Sequence, residues 1–262
     1  MERQAALAEA NPDVGDWALH EQAAVLAYSG HLQEARKKSR QAADVAQHSA
    51  RKNEGAATYT ASAAVREAFF GNAREARQYA AAALDLSKSR DVEYGAAFAL
   101  ALLGDTAQSY ALAKDIEKAT EDTFVRFNYL PTLRALWALN QGDSANAIEQ
   151  LQIATPYELG VSGSGSSIFG NLYPVYLRGL ANLSARRGVE AAAQFRKILD
   201  HPGVVFTDPV GVMARLQLAR AFVMSGDTAK AKAAYQAFLT LWKNADPDIP
   251  ILQQAKAEYA RL

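Results

Sequence analysis

Apolar and small residues recur along the chain at helical spacing, three or four residues apart, and short polar turns built on glycine separate the runs. The turns are Ser29-Gly30-His31, Phe70-Gly71-Asn72, Leu103-Gly104-Asp105, Gln141-Gly142-Asp143, Arg187-Gly188-Val189 and Ser225-Gly226-Asp227. Glycine there suits the left-handed residue that ends a helix, and Asp or Asn just after it suits the N-cap of the next. A small residue then opens the buried face of each second helix: Ala35, Ala76, Ser109, Ala147, Ala191 and Ala231, separated by 41, 33, 38, 44 and 40 residues. That is the period of helical-hairpin repeats. The pattern predicts an all-α, right-handed superhelical solenoid forming a single domain over 1–262. Its six hairpins are expected at about 14–50, 55–90, 91–122, 124–156, 171–200 and 209–243, with a helix over 250–262 capping the open end.

Three stretches break the pattern. Tyr157–Asn171 holds four Gly and four Ser and reads as a long loop, and Asp200–Asp208 and Asn244–Pro250 read as shorter ones. Pro250 suits the first turn of a last helix.

The finer spacing favours the tetratricopeptide repeat (TPR), whose second helix carries Ala, three residues, then an aromatic. Ala231 with Tyr235 and Ala191 with Phe195 match it, Leu218-Ala219 before Phe222 approaches the first-helix signature, and Gly179 fills the glycine place of its hairpin. Elsewhere Leu151, Ser39, Ala80 and Ala113 stand at the aromatic position. From Leu199 to Leu262 the chain, with DPVGVMARLQLARAFVMSGDTAKAKAAYQAFLTLWKNADPDIP, resembles the C-terminal TPR region of bacterial membrane-anchored serine/threonine protein kinases. LYPVYLRGLANLSARRGVEAAAQFRKILDH (Leu172–His201) is similar to the preceding hairpin of that region. The resemblance implies a noncatalytic C-terminal part of a receptor-like kinase whose parent sits in the bacterial inner membrane, and it carries no kinase activity over to this chain.

Composition narrows the function classes. Alanine, the best helix former, is the commonest residue. With 28 Lys+Arg against 28 Asp+Glu, the chain lacks the basic excess that drives nucleic-acid binding. The absence of cysteine excludes disulfides, thiolate nucleophiles and Cys-ligated zinc. The start MERQAALAEANPD is charged and unlike a signal peptide, and no run is long and apolar enough to insert in a membrane.

Catalytic constellations fail in turn. Gly163-Ser164-Gly165-Ser166-Ser167 is followed by Ile168 where a kinase glycine loop needs its third Gly, and no P-loop, His-Arg-Asp or Asp-Phe-Gly occurs. A phosphate nest over Gly160–Gly170 competes with a plain flexible loop. His20, His31, His48 and His201 have no metal-ligand spacing, so no metal or cofactor is expected. Glu117/Glu121 and the basic run Arg36-Lys37-Lys38 with Arg40 read as solvated helix faces.

In repeats of this class the first helices line the concave face. The turns used as register marks point Trp17, His20, Val65, Phe69, Tyr94, Phe98, Tyr129, Leu136, Tyr173, Tyr176, Leu216 and Arg220 inward. Of these, Trp17, His20, Tyr94, Phe98, Tyr129, Tyr173, Tyr176 and Arg220 are the candidate surface for a protein or peptide ligand, because aromatic residues and Arg suit such interfaces. The alternative for each is a place in the core between helices. The expected function is an interaction scaffold or sensor. A helical-repeat sensor of a transcription regulator is the competing reading, and a glycan- or lipid-acting helical enzyme is a third.

Overall fold

The computed structural model describes residues 14–48, 52–118, 121–160, 169 and 172–262. The chain start with Pro12, and most of the Gly/Ser stretch with its Gly163–Ser167 run, lie outside the described residues. Among the described residues there is no strand.

The helices follow one another in antiparallel pairs: α1 (Gly15–Tyr28) with α2 (Leu32–Gln47), α3 (Lys52–Phe70) with α4 (Ala73–Leu86), and α5 (Arg90–Leu102) with α6 (Thr106–Ile116). A π-helical turn (Val125–Tyr129) leads into α7 (Leu130–Asn140), which pairs with α8 (Ser144–Gln150). Then come α9 (Tyr173–Ser184) with α10 (Gly188–Leu199), the single turn α11 (Pro202–Val205), α12 (Pro209–Met224) with α13 (Thr228–Leu241), and α14 (Pro250–Tyr259). The short α11 occupies the stretch expected to be loop.

The turns show why these residues stop and restart helices. Gly30, Gly71, Gly104, Gly142 and Gly226 have φ between 78° and 87°, where a Cβ would clash with the backbone. Asp143 and Asp227 then cap α8 and α13, each accepting a bond of 3.0 Å from the backbone N–H three residues on. The fifth turn differs from expectation. There Arg186 takes the left-handed conformation (φ 59°) and Gly188 already belongs to α10. Gly188 is small for another reason: a Cβ on it would lie 2.8 Å from the Ala221 carbonyl oxygen of α12.

Packing follows the small residues. Ala35, Ala76, Ser109, Ala147, Ala191 and Ala231 are all fully buried, which lets paired helices approach closely. Gly179 on α9 is matched to Phe195 on α10, since a Cβ at 179 would overlap the ring. First helices also pack on first helices, α3 on α5, α5 on α7, α7 on α9 and α9 on α12.

The expectation of an open array with a covered end is corrected here. The last hairpin returns to the first two, with α12 packing on α1 and α3. Trp242, buried just after α13, donates its indole N–H to the Tyr28 carbonyl at 3.0 Å and meets the Phe70 ring edge-on at 5.1 Å. The Asp246 N–H donates to the Gly30 carbonyl at 2.9 Å, and the Asp246 carboxylate accepts the Gln33 N–H at 2.7 Å. Asp246 thus satisfies a first-turn donor of α2 that the N-cap residue His31 leaves open. Pro250, the first residue of α14, lies against Gly71, so α14 rests on α13 and also borders the second hairpin. Apolar area decides this outcome. The first helices are apolar on more than one side, and the return of α12 buries a face that an open array would leave wet.

Two glycines isolate the seam energetically. Gly30 and Gly104 share a φ of 84°, but a Cβ at 30 would overlap Ala245 while a Cβ at 104 meets nothing within 4 Å. Gly104→Ala is expected to cost about 1–2 kcal/mol, the price of a left-handed side chain. Gly30→Ala should cost measurably more in urea unfolding, because Ala245 must also move. Equal losses would mean that the closure adds nothing.

Candidate functional site

The inward-pointing aromatics do come together, but as a core and not as a surface. Tyr94 and Phe98 on α5, Tyr129 at the start of α7, and Tyr173 and Tyr176 on α9 are all buried. Phe69, at the end of α3, joins them, 5.7 Å from Phe98, 5.6 Å from Tyr173 and 5.5 Å from Tyr176. Phe98 stacks on Tyr173 at 4.6 Å, and Tyr94 on Tyr129 at 3.6 Å with the rings 6° apart. Phe169 closes over Tyr94 edge-on at 5.5 Å, seated against Gly95 where a Cβ would strike its ring. These five candidates are therefore corrected from ligand surface to packing between first helices. The closure that brings α12 back makes the inner side an interior, and aromatic pairs there contribute about 0.5–1.5 kcal/mol each beyond area burial.

The other three candidates go elsewhere. His20 is buried between α1 and α3, stacked on Tyr59 at 4.7 Å. Arg220 is half-buried and held bidentate by Glu258 of α14, at 2.9 and 2.7 Å. Trp17 alone stays open, at 41% exposure. It shares a stripe with Val25 of α1 and with Val14, the N-cap residue before it, both exposed and about three helical turns apart. Glu21 lies between them on that stripe, its carboxyl pushed up by burial.

The polar ends of the core follow a rule that the sequence reading missed. An Asp at the start of one first helix accepts the hydroxyl of a Tyr from a neighbouring first helix. Tyr59 of α3 donates to Asp16 of α1 at 3.2 Å, Tyr129 to Asp91 of α5 at 2.9 Å, and Tyr173 of α9 to Asp208 before α12 at 3.1 Å. A carboxylate at a helix start also meets the positive end of the helix dipole. Asp208 caps α12 in addition, accepting the Val210 N–H at 2.8 Å. Arg90 spans Asp91 and Asp122, joining the two helix starts. The legible signal was an acidic residue in a helix's first turn with a Tyr about one repeat away.

Chemically this cluster is a set of staples. Burial pushes the hydroxyls of Tyr94 and Tyr129 far up, Asp91 and Tyr94 adding to the effect at Tyr129, and raises Tyr176 to about 12. A phenol held in its protonated form donates a hydrogen bond and is no general base at neutral pH. The Tyr94 hydroxyl is buried beside Thr132, whose own hydroxyl donates to the Asn128 carbonyl. Elsewhere, Glu158 is buried between Arg178 and Lys197, binding α9 and α10 to the turn after α8. Among the described residues no group of His, Asp and Glu could hold a metal ion, and no helix is long and apolar enough to cross a membrane. No protein-family model matches the chain, and no curated protein matches it.

Two pH dependences follow. Burial, and next the charge of Arg66, lower the His20 pKa from 6.5 to about 3. The unfolded chain takes up a proton there that the folded chain refuses, so stability should fall as pH drops from about 6.5 towards 3. At the other end, the folded chain keeps phenolic protons that the unfolded chain releases near 10, so stability should fall as pH rises from about 10 towards 12. Urea midpoints across pH check both limbs. His20→Gln should flatten the acid limb, and tyrosinate absorbance should appear together with loss of helical circular dichroism on the alkaline one.

Proposed function

We propose that this chain is a noncatalytic protein-interaction module built from divergent TPR-like hairpins, the C-terminal scaffold or sensor part of a receptor-like serine/threonine kinase. The six buried small residues at hairpin spacing and the resemblance over Leu199–Leu262 support the repeat assignment. The observation that carries the interaction reading is the α1 stripe. Trp17, Val14 and Val25 are exposed together along α1, while the other two tryptophans, Trp137 and Trp242, are buried. Tryptophan is the residue most enriched at binding hot spots. An apolar helical stripe interrupted by one acid suits the apolar face of a partner's amphipathic helix.

The kinase assignment is tested by the open reading frame that contains this chain, which should encode a kinase domain and a membrane segment upstream. A winged-helix domain there would overturn it. The stripe is tested in the source cell with a photocrosslinking residue at Val25. It should capture a polypeptide, and Trp17→Ala should cut the yield at least about tenfold, as the loss of a hot spot worth roughly 1.4 kcal/mol or more would. Unchanged capture in that variant removes the stripe from the reading. The purified chain should show no ATP turnover above blank, and saturable turnover would contradict a noncatalytic role.

A further inference from the structure

Where the first hairpin meets the second, the buried charges do not balance. Arg66 on α3 is 4% exposed. Its Nη2 donates to the Ser39 hydroxyl of α2 at 3.0 Å, and its Nε is buried with no partner. The acid beside it in sequence, Glu67, is fully buried and already engaged. Arg36 of α2 holds it bidentate, Nε to Oε1 at 2.8 Å and Nη2 to Oε2 at 2.7 Å. Glu75, the next acid that Arg36 feels, is taken by Arg74. Two guanidiniums therefore share one carboxylate in the wall between α2 and α3. Arginine does not shed its proton to relieve such an imbalance, and a buried charge without a counter-charge is strongly unfavourable.

A third buried group feels the same charge. His20 of α1 is 6% exposed, and its Nδ1 is buried with no partner. It lies near enough to Arg66 for that charge to help hold its imidazole neutral. A neutral imidazole still carries one N–H to donate. Arginine Nε–H, a serine hydroxyl and an imidazole N–H are all anion donors, and they come from three different helices. The residues one helical turn from Ser39 and His20, namely Ala35, Ala42 and Ala23, are fully buried, so an ion that reaches the donors is stripped of water, which costs a singly charged chloride far less than a doubly charged sulfate or phosphate.

We propose that Arg66, with Ser39 and His20, binds a small inorganic anion of the size of chloride, which supplies the missing negative charge and ties the first hairpin to the second. Such an ion would bind the folded state and not the unfolded one, and so would raise stability by mass action. Chloride can be separated from general screening by comparison with gluconate at the same ionic strength.

The experiment follows thermal unfolding of the full chain in sodium chloride and in sodium gluconate, together with the chloride NMR line width. Wild type should unfold about 2–4 °C higher in chloride once chloride exceeds Kd about tenfold, and should broaden the chloride line. Arg66→Met should abolish both effects, and Ser39→Ala should reduce both. Should Arg66→Met fail to fold, Ser39→Ala decides the matter: a full chloride effect in that variant overturns the proposal. The proposal also fails if wild type shows no preference for chloride over gluconate and no line broadening, or if either effect survives in a folded Arg66→Met. Protection by sulfate or phosphate equal to that by chloride would overturn the size assignment.

Discussion

Trp242 is the residue on which the rest of the arrangement leans. Its indole fills the space between the last hairpin and the end of α3, and its N–H binds the turn that ends α1. A stack of helical hairpins has contacts mainly between neighbours, and its two ends are free to drift apart. Once Trp242 and Asp246 bind the Gly30 turn, every hairpin lies between two fixed ends. Residues more than two hundred positions apart then share one hydrophobic interior.

The interior explains the use of aromatics. An inner face of an open superhelix is a groove, where Tyr and Phe present area to a ligand. Closed, the same positions face one another, and ring-on-ring contact replaces ligand contact. Their hydroxyls then need partners away from water, since an unpaired buried polar group is costly. Aspartates at the starts of α1, α5 and α12 meet that need for Tyr59, Tyr129 and Tyr173. The same rule makes Arg66 stand out. Its neighbours satisfy one of its donors but not its charge. Strain is local as well: Phe206, after α11, combines a φ of 47° with 72% exposure, and nothing in the packing around it requires either.

The all-helical class was legible because it rests on local signals. Helical spacing of apolar residues, glycine at the left-handed turns and Asp143 or Asp227 at a cap act within a few residues, and each is written in consecutive letters. Small residues such as Ala35 and Ala231 were legible too, since close helix approach within a hairpin needs them at a fixed offset from the turn. Gly188 shows the limit of that reasoning. It looked like a turn residue, yet its smallness serves contact with α12, and Arg186 takes the turn instead.

The candidate site was half legible. The sequence marked the first-helix aromatics as facing one side, and the structure does gather Tyr94, Phe98, Tyr129, Tyr173 and Tyr176 into one chain of ring contacts with Phe69. Whether that side is groove or core is no property of any one hairpin. It depends on how small rotations between successive hairpins accumulate until α12 reaches α1 and α3, and on Trp242 having Tyr28 and Phe70 to bind when it arrives. The sequence by itself determined the helices, their turns and the small residues at their crossings, because those depend on residues a few positions apart. Only the tertiary structure decided which apolar faces stay wet, because burial is settled by the parts of the chain that return from far away.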